Sequence, residues 1–186
     1  MSREDKRPFR YRSAFGRHAE TRRYGVGMII LFWIILMGLL AFVFSDVLER
    51  QFNPNRHPES SSTVLESRVV LKQNRQGHYV ATGRINGHPV KFLLDTGATD
   101  VSVPLEVAGS TSLEPGQPVI TRTANGTIRV FDTRLDSVEL GSIRISNVRA
   151  NINPYMQGDE VLLGMSFLKH LELVQKDGQL SLVQRH

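Results

Sequence analysis

The chain has 186 residues, 23 of them Lys or Arg against 18 Asp or Glu, and no cysteine. The formal excess of +5 sits in residues 1–23, which hold eight basic and three acidic residues, so the rest of the chain is charge-balanced. That balance offers no basic face for nucleic acid, and the missing cysteines exclude disulfide scaffolds, thiolate zinc sites and thiol nucleophiles together.

Residues 1–25 form a basic tail, and Val26–Phe44 follows with 19 residues and no charge. At 1.5 Å per residue that run makes a helix of about 28 Å, close to the hydrocarbon thickness of a bilayer. The run is long for a signal peptide, and Phe42-Val43-Phe44-Ser45-Asp46 is a poor cleavage site. Residues 26–45 are therefore predicted to be an uncleaved transmembrane helix. With Arg50 and Arg56 alone among residues 46–65, the basic excess predicts a cytoplasmic N-terminus. Residues 46–65 mix charges, Pro54, Pro58 and a Ser60–Thr63 polar run, and read as a flexible linker. The folded domain is then 66–186.

Within that domain short runs rich in Val, Ile, Leu and Thr are separated by turn dipeptides. Strands are predicted over Ser67–Lys72, His78–Ile85, His88–Leu94, Val119–Ala124, Thr127–Phe131, Leu135–Leu140, Ile143–Ile152, Leu171–Gln175 and Gln179–Val183. Asn86-Gly87, Asn125-Gly126 and Asp177-Gly178 supply the positive φ that two-residue hairpin turns demand. Only Met165–His170 reads as a short helix. The pattern is all-β, a barrel or a sandwich.

One position stands out chemically. Lys91-Phe92-Leu93-Leu94 runs directly into Asp95-Thr96-Gly97-Ala98-Thr99. A carboxylate at the end of an apolar strand is costly unless it is supported. Gly97 permits a sharp turn, and Thr96 can hold it by local hydrogen bonding. About 70 residues later comes Val161-Leu162-Leu163-Gly164, followed by the short helix. Ser166-Phe167-Leu168-Lys169 matches a Ser-x-x-Lys pattern, but its companion motifs are absent. Asp132, Asp136 and Glu139 lack such flanking residues and read as solvated. The six histidines show no metal-ligand spacing, so neither a metal nor a cofactor is predicted.

Taken together, these motifs resemble the retropepsin-like aspartic proteases, and within them the membrane-anchored single-domain bacterial members. The resemblance spans roughly residues 77–183. It implies an all-β, closed-barrel acid-protease fold of a single lobe with one short helix. It also implies Asp95 as the catalytic acid and Thr96, Gly97, Ala98 and Thr99 as its loop. Thr123, Ala124, Asn125 and Gly126 match the flap, and Leu162, Leu163 and Gly164 the second apolar-Gly motif. In retroviral members an Asp follows the motif's Ala and pairs with an Arg after the second Gly. Here those positions are Thr99 and Met165, which predicts a different brace for the loop.

Two carboxylates are needed to activate a water, and the chain has one Asp-Thr-Gly. The resemblance therefore implies a homodimer with peptide or protein substrates and no nucleic-acid partner. It also implies a single-pass protein of the bacterial inner membrane, held through residues 26–45, with its protease domain periplasmic. A catalytically silent peptide-binding or scaffolding module on the same fold is the alternative.

Overall fold

The computed structural model describes residues 18–123 and 126–186. They fall into two compact units divided between Asp46 and Val47. Helix α1 (His18–Phe52) is longer than the predicted span at both ends. Within its stretch Gly25–Phe52 an 18-residue window reaches a mean hydropathy of 2.8, and the stretch is long and apolar enough to cross a membrane. A signal sequence meets the same criteria of length and composition. The exposed side chains from Met28 to Phe44 are almost all apolar, so no polar face marks this stretch as a surface helix of a soluble domain.

Residues 47–186 are built mainly of strands. Strands β3 (Val80–Ile85), β4 (His88–Leu94), β5 (Val101–Pro104), β6 (Pro118–Thr123), β7 (Gly126–Leu140), β8 (Ile143–Asn153) and β9 (Glu160–Leu163) form one sheet, in the order β3-β4-β9-β5-β8-β7-β6. A short β3–β7 pairing, Arg84 with Glu139 and Ile85 with Val138, closes six of them into a ring, with β6 outside it. A second sheet has the order β1-β2-β11-β10, from β1 (Glu59–Ser62), β2 (Glu66–Lys72), β10 (Glu172–Lys176) and β11 (Gln179–Arg185). Alternating apolar residues fill the interior, with Phe92, Phe167, Leu135, Ile152 and Leu163 fully buried.

Several elements differ from the sequence expectation. The two runs 127–131 and 135–140 are one strand, β7, because Asp132-Thr133-Arg134 contains no Gly or Pro to break it. Strands β5 and β9 are only four residues long, too short to show a period. Among the described residues two short helices are present beyond α1: α2 (Leu105–Ser110) as well as α3 (Met165–Leu168).

The largest correction concerns residues 46–65, which are not a flexible linker. Helix α1 runs to Phe52, and β1 pairs with β2 over Glu59–Ser62. Between them Asn53 and Asn55 are buried, each 3% exposed. The Asn55 carboxamide accepts from Lys72 N–H at 2.7 Å and donates to Lys72 C=O at 2.9 Å and Val80 C=O at 2.7 Å. Its backbone carbonyl accepts from Thr82 N–H at 3.0 Å. Asn74 donates from its side chain to Phe52 C=O at 3.1 Å. Apolar content is sparse here because hydrogen bonds from asparagine, rather than hydrophobic burial, fix the segment. The folded unit thus begins well before Glu66.

Candidate active site

Strand β4 pairs in parallel with β9, Phe92 opposite Val161 and Leu94 opposite Leu163. Phe92 enters the core and anchors the strand, which leaves Asp95 at its carboxyl end, half-buried. Asp95 N–H donates to Leu163 C=O at 3.2 Å, extending the ladder one residue beyond the strand. The chain then turns sharply. Gly97 N–H donates to the Asp95 carboxylate at 2.8 Å, and Ala98 N–H to Asp95 C=O at 3.2 Å. The first bond gives the carboxylate a backbone donor two residues on, an Asx-type turn.

The second motif holds this loop from below. Met165 N–H donates to Ala98 C=O at 2.8 Å, and Ser166 N–H to Thr99 C=O at 2.9 Å. At Gly164 a Cβ would lie 2.3 Å from Asp100 O and 2.7 Å from Ala98 O, so only glycine lets α3 start this close to the loop. The apolar pair Leu162-Leu163 keeps β9 registered against β4 and thereby sets Gly164 under Ala98. The structure accordingly brings together Asp95, Thr96, Gly97, Ala98, Thr99, Leu162, Leu163 and Gly164.

The expected substitute for the missing ion pair is present in residues that sequence reasoning passed over. Asp100, one position beyond Thr99, accepts from Arg149 Nε of β8 at 2.6 Å. Ser166 adds a second brace: its hydroxyl donates to Arg149 C=O at 2.7 Å and accepts from Val101 N–H at 3.0 Å. Arg149 lies about 50 positions away in sequence, and only the parallel β5–β8 pairing, Val101 with Ala150, makes it a neighbour. No local motif marks it. The Ser166 hydroxyl proton is directed to Arg149 C=O, and Lys169 is exposed, so the Ser-x-x-Lys pattern is not a nucleophile–base pair.

Strands β6 and β7 form the hairpin expected to be the flap, with Thr123 opposite Gly126 and the Thr123 hydroxyl donating to Gly126 C=O at 2.9 Å. Ala124 and Asn125, the remaining flap residues, lie outside the described residues. Ile120 on this arm is 76% exposed, an apolar side chain without a packing partner in the core. A cavity of about 400 Å³ is lined by Asp95 and Thr96 together with Tyr79, Leu168, Leu173 and Gln175. A groove of about 460 Å³ between Leu48, Phe52 and Arg75 is larger but contains none of the motif residues.

Other titratable groups stand apart from this chemistry. Asp132 and Asp136 are exposed, and Glu139 pairs with Arg144 at 2.8 Å. His78, His88 and His170 are exposed. Glu160, at the start of β9, has its carboxyl raised above the ordinary value by burial and by neighbouring Asp159, against the opposing charges of Lys91 and His78. Among the described residues no cluster of three or more His, Asp or Glu is arranged to hold a metal ion.

The fold and the stapled Asp-Thr-Gly loop define an acid-protease lobe, and comparison with known proteins gives the narrower family. Residues 81–170 match the family model for the gag-polyprotein aspartyl protease. A Sinorhizobium protein from the cobV 5′ region, itself uncharacterised, is 30% identical over 166 residues, 82% of this chain and 71% of the relative. An uncharacterised Rickettsia prowazekii protein is 28% identical over 107 residues, 56% of this chain and 46% of the relative. The crystal structure of a retropepsin-like aspartic protease from Rickettsia conorii superposes with a TM-score of 0.55 at 23% identity, covering 68% of this chain and 95% of that one. The chain belongs to the retropepsin-like aspartic protease family.

Proposed function

We propose that this protein is a membrane-anchored aspartic endopeptidase that hydrolyses peptide bonds with a pair of Asp95 carboxylates, one from each of two chains. The observation that carries the reading is the single Asp-Thr-Gly loop, held at a strand end by the second apolar-Gly motif and opening on a cavity. One carboxylate per chain is half of what the chemistry requires. Two copies related by a twofold axis supply the other half.

In that assembly the two carboxylates are like charges at close range, so the pair retains one proton. The ionised member takes a proton from the attacking water while the protonated member donates a hydrogen bond to the scissile carbonyl. The tetrahedral intermediate then collapses, with the proton passed to the leaving amine. The Gly97 N–H bond fixes one Asp95 rotamer, and the bonds to Met165 and Ser166 hold the backbone that carries it. Thr96 braces the partner loop across the axis. Substrate lies extended beneath the β6–β7 flap, Thr123–Gly126, whose closure excludes water. No cofactor is needed for any step.

Helix α1 anchors the chain through residues 26–45, with the basic tail cytoplasmic and the protease domain on the periplasmic side of a bacterial inner membrane. Confinement to a membrane raises the effective concentration of the second copy. The test is Asp95→Asn in the full chain, assayed in detergent on an unfolded protein substrate. Loss of cleavage with unchanged folding supports the mechanism. Cleavage at the wild-type rate contradicts it, and peptide binding that survives with no turnover in either protein points instead to a silent binding module.

A further inference from the structure

The face of the sheet on which Asp95 lies carries a second carboxylate. Strands β4 and β9 run parallel in register, so Lys91 is opposite Glu160, Phe92 opposite Val161, Leu93 opposite Leu162 and Leu94 opposite Leu163. Side chains alternate between the two faces of a strand. Phe92, Val161 and Leu163 are buried in the core, and Leu94 packs against it. Lys91, Leu93, Glu160 and Leu162 therefore share the opposite face. The ladder continues one residue past Leu94, which puts Asp95 on that face as well. Leu93, Leu162 and Glu160 are each half-buried there.

Glu160 is the misfit on this face. The adjacent cation is engaged elsewhere, since Lys91 Nζ pairs with Asp159 at 2.9 Å. Among the described residues the Glu160 carboxylate has no hydrogen bond or ion pair of its own. Its charged neighbours are Asp159, Lys91 and His78, and burial together with Asp159 raises its carboxyl above the ordinary value. Lys91 and Asp159 offset each other, so the cluster carries one net negative charge once Glu160 is ionised. A half-buried carboxylate without a partner destabilises the folded chain. A β-branched residue would suit this strand position better. An acid perturbed by burial and set in a cleft is the pattern of a site whose partner is a ligand.

We infer that Glu160 is a specificity-determining residue whose carboxylate receives the cationic side chain of a lysine or arginine in the peptide, so that this protein selects substrates with a basic residue near the scissile bond. The inference rests on the peptidase reading of Asp95 and names the substrate class of that same site. In the β4–β9 register Gly164 lies beside Asp95, and Glu160 is four residues before Gly164, about 13 Å along the strand. An extended peptide has nearly the same rise per residue, so the basic side chain falls within four positions of the bond cleaved. Between the two carboxylates lie Leu93 and Leu162, which suit apolar side chains next to that bond. A twofold axis repeats Glu160 across the cleft, and two basic-selective positions result, one on each side of the bond. A lysine or arginine there gives the carboxylate a charge-assisted hydrogen bond, a factor of about ten or more in affinity. An acidic side chain at the same position meets like charge and is rejected.

The test is a set of quenched-fluorescence octapeptides, cleaved by the full chain in detergent, in which lysine or norleucine stands at each position in turn. Norleucine keeps the carbon stem of lysine and lacks its charge. The expected result at about pH 7 is a lysine-to-norleucine ratio of kcat/KM of about ten or more at one position on each side of the bond, and near one elsewhere. In Glu160→Gln the ratio at those two positions should fall to near one. In the wild type it should also fall in acid, at a higher pH than an ordinary glutamate would give, because the raised carboxyl takes up its proton earlier. Taking the ratio at each pH cancels the titration of the Asp95 pair, which both peptides share. A lysine preference that persists in Glu160→Gln, or a ratio near one at every position in the wild type, overturns the assignment and leaves the catalytic reading standing. If the wild type cleaves no peptide, the catalytic reading fails, and binding of the same peptides, followed by fluorescence anisotropy, decides the inference alone. Lysine-dependent binding that is lost in Glu160→Gln sustains it, and equal or absent binding overturns it.

Discussion

Replacing Gly164 by alanine tests whether the second motif positions the Asp95 loop. The added Cβ would sit 2.3 Å from Asp100 O and 2.7 Å from Ala98 O, whereas an ordinary contact begins at 3.4 Å. The loop and α3 must therefore separate by about 0.7–1.1 Å, a rigid displacement because both obstacles are backbone. Met165 N–H to Ala98 C=O at 2.8 Å and Ser166 N–H to Thr99 C=O at 2.9 Å would then exceed bonding distance. Two lost bonds at about 1 kcal/mol each, with overpacking of similar size, give roughly 3 kcal/mol of destabilisation. A misplacement of about 1 Å at the reacting groups lowers kcat by about 100-fold. Thermal unfolding in detergent reads the first effect, and cleavage of a quenched-fluorescence peptide the second. A Gly164→Ala protein with wild-type stability and wild-type kcat would refute the stapling argument.

Asn55→Ala removes three hydrogen bonds at a site 3% exposed and is expected to cost about 2–4 kcal/mol in denaturant unfolding, whereas a solvated linker would register no change. Ser166→Ala orphans Val101 N–H and should destabilise by about 2 kcal/mol. Arg149→Ala breaks an ion pair whose arginine side chain is 60% exposed, and should cost less than about 1 kcal/mol. Equal effects from the two substitutions would show that the hydroxyl bridge is not the stronger brace. For Glu160 the sign is fixed by its raised carboxyl: the folded chain binds that proton more tightly than the unfolded chain, a stabilisation present in acid and lost as pH rises through the folded value. Glu160→Gln should therefore raise Tm at about pH 7 and leave it unchanged at about pH 3, and an unchanged Tm at both would contradict the burial argument.

Most of the site was readable because its parts are contiguous. Asp95-Thr96-Gly97 lies directly after Phe92-Leu93-Leu94, and Gly164 directly after Leu162-Leu163, so each motif carries its own strand and turn. The brace from Asp100 to Arg149 was not readable, since it depends on β5 lying parallel to β8 and no spacing rule reports that. Residues 46–65 depart from the linker expectation for a different reason. Composition measures the apolar area a segment can bury, and this segment is fixed by carboxamides against strand backbone. Strands β5 and β9 are four residues each and defeat any test of periodicity.

The central claim is that one active site takes an Asp95 from each of two chains. It is tested most directly by mixing wild-type and Asp95→Asn chains in equal amounts, at fixed total concentration and with free exchange of partners. Random pairing leaves about one quarter of the dimers with both carboxylates, so activity should fall to about 25% of the all-wild-type sample. A site complete within one chain would retain about 50%, and that result would contradict the account.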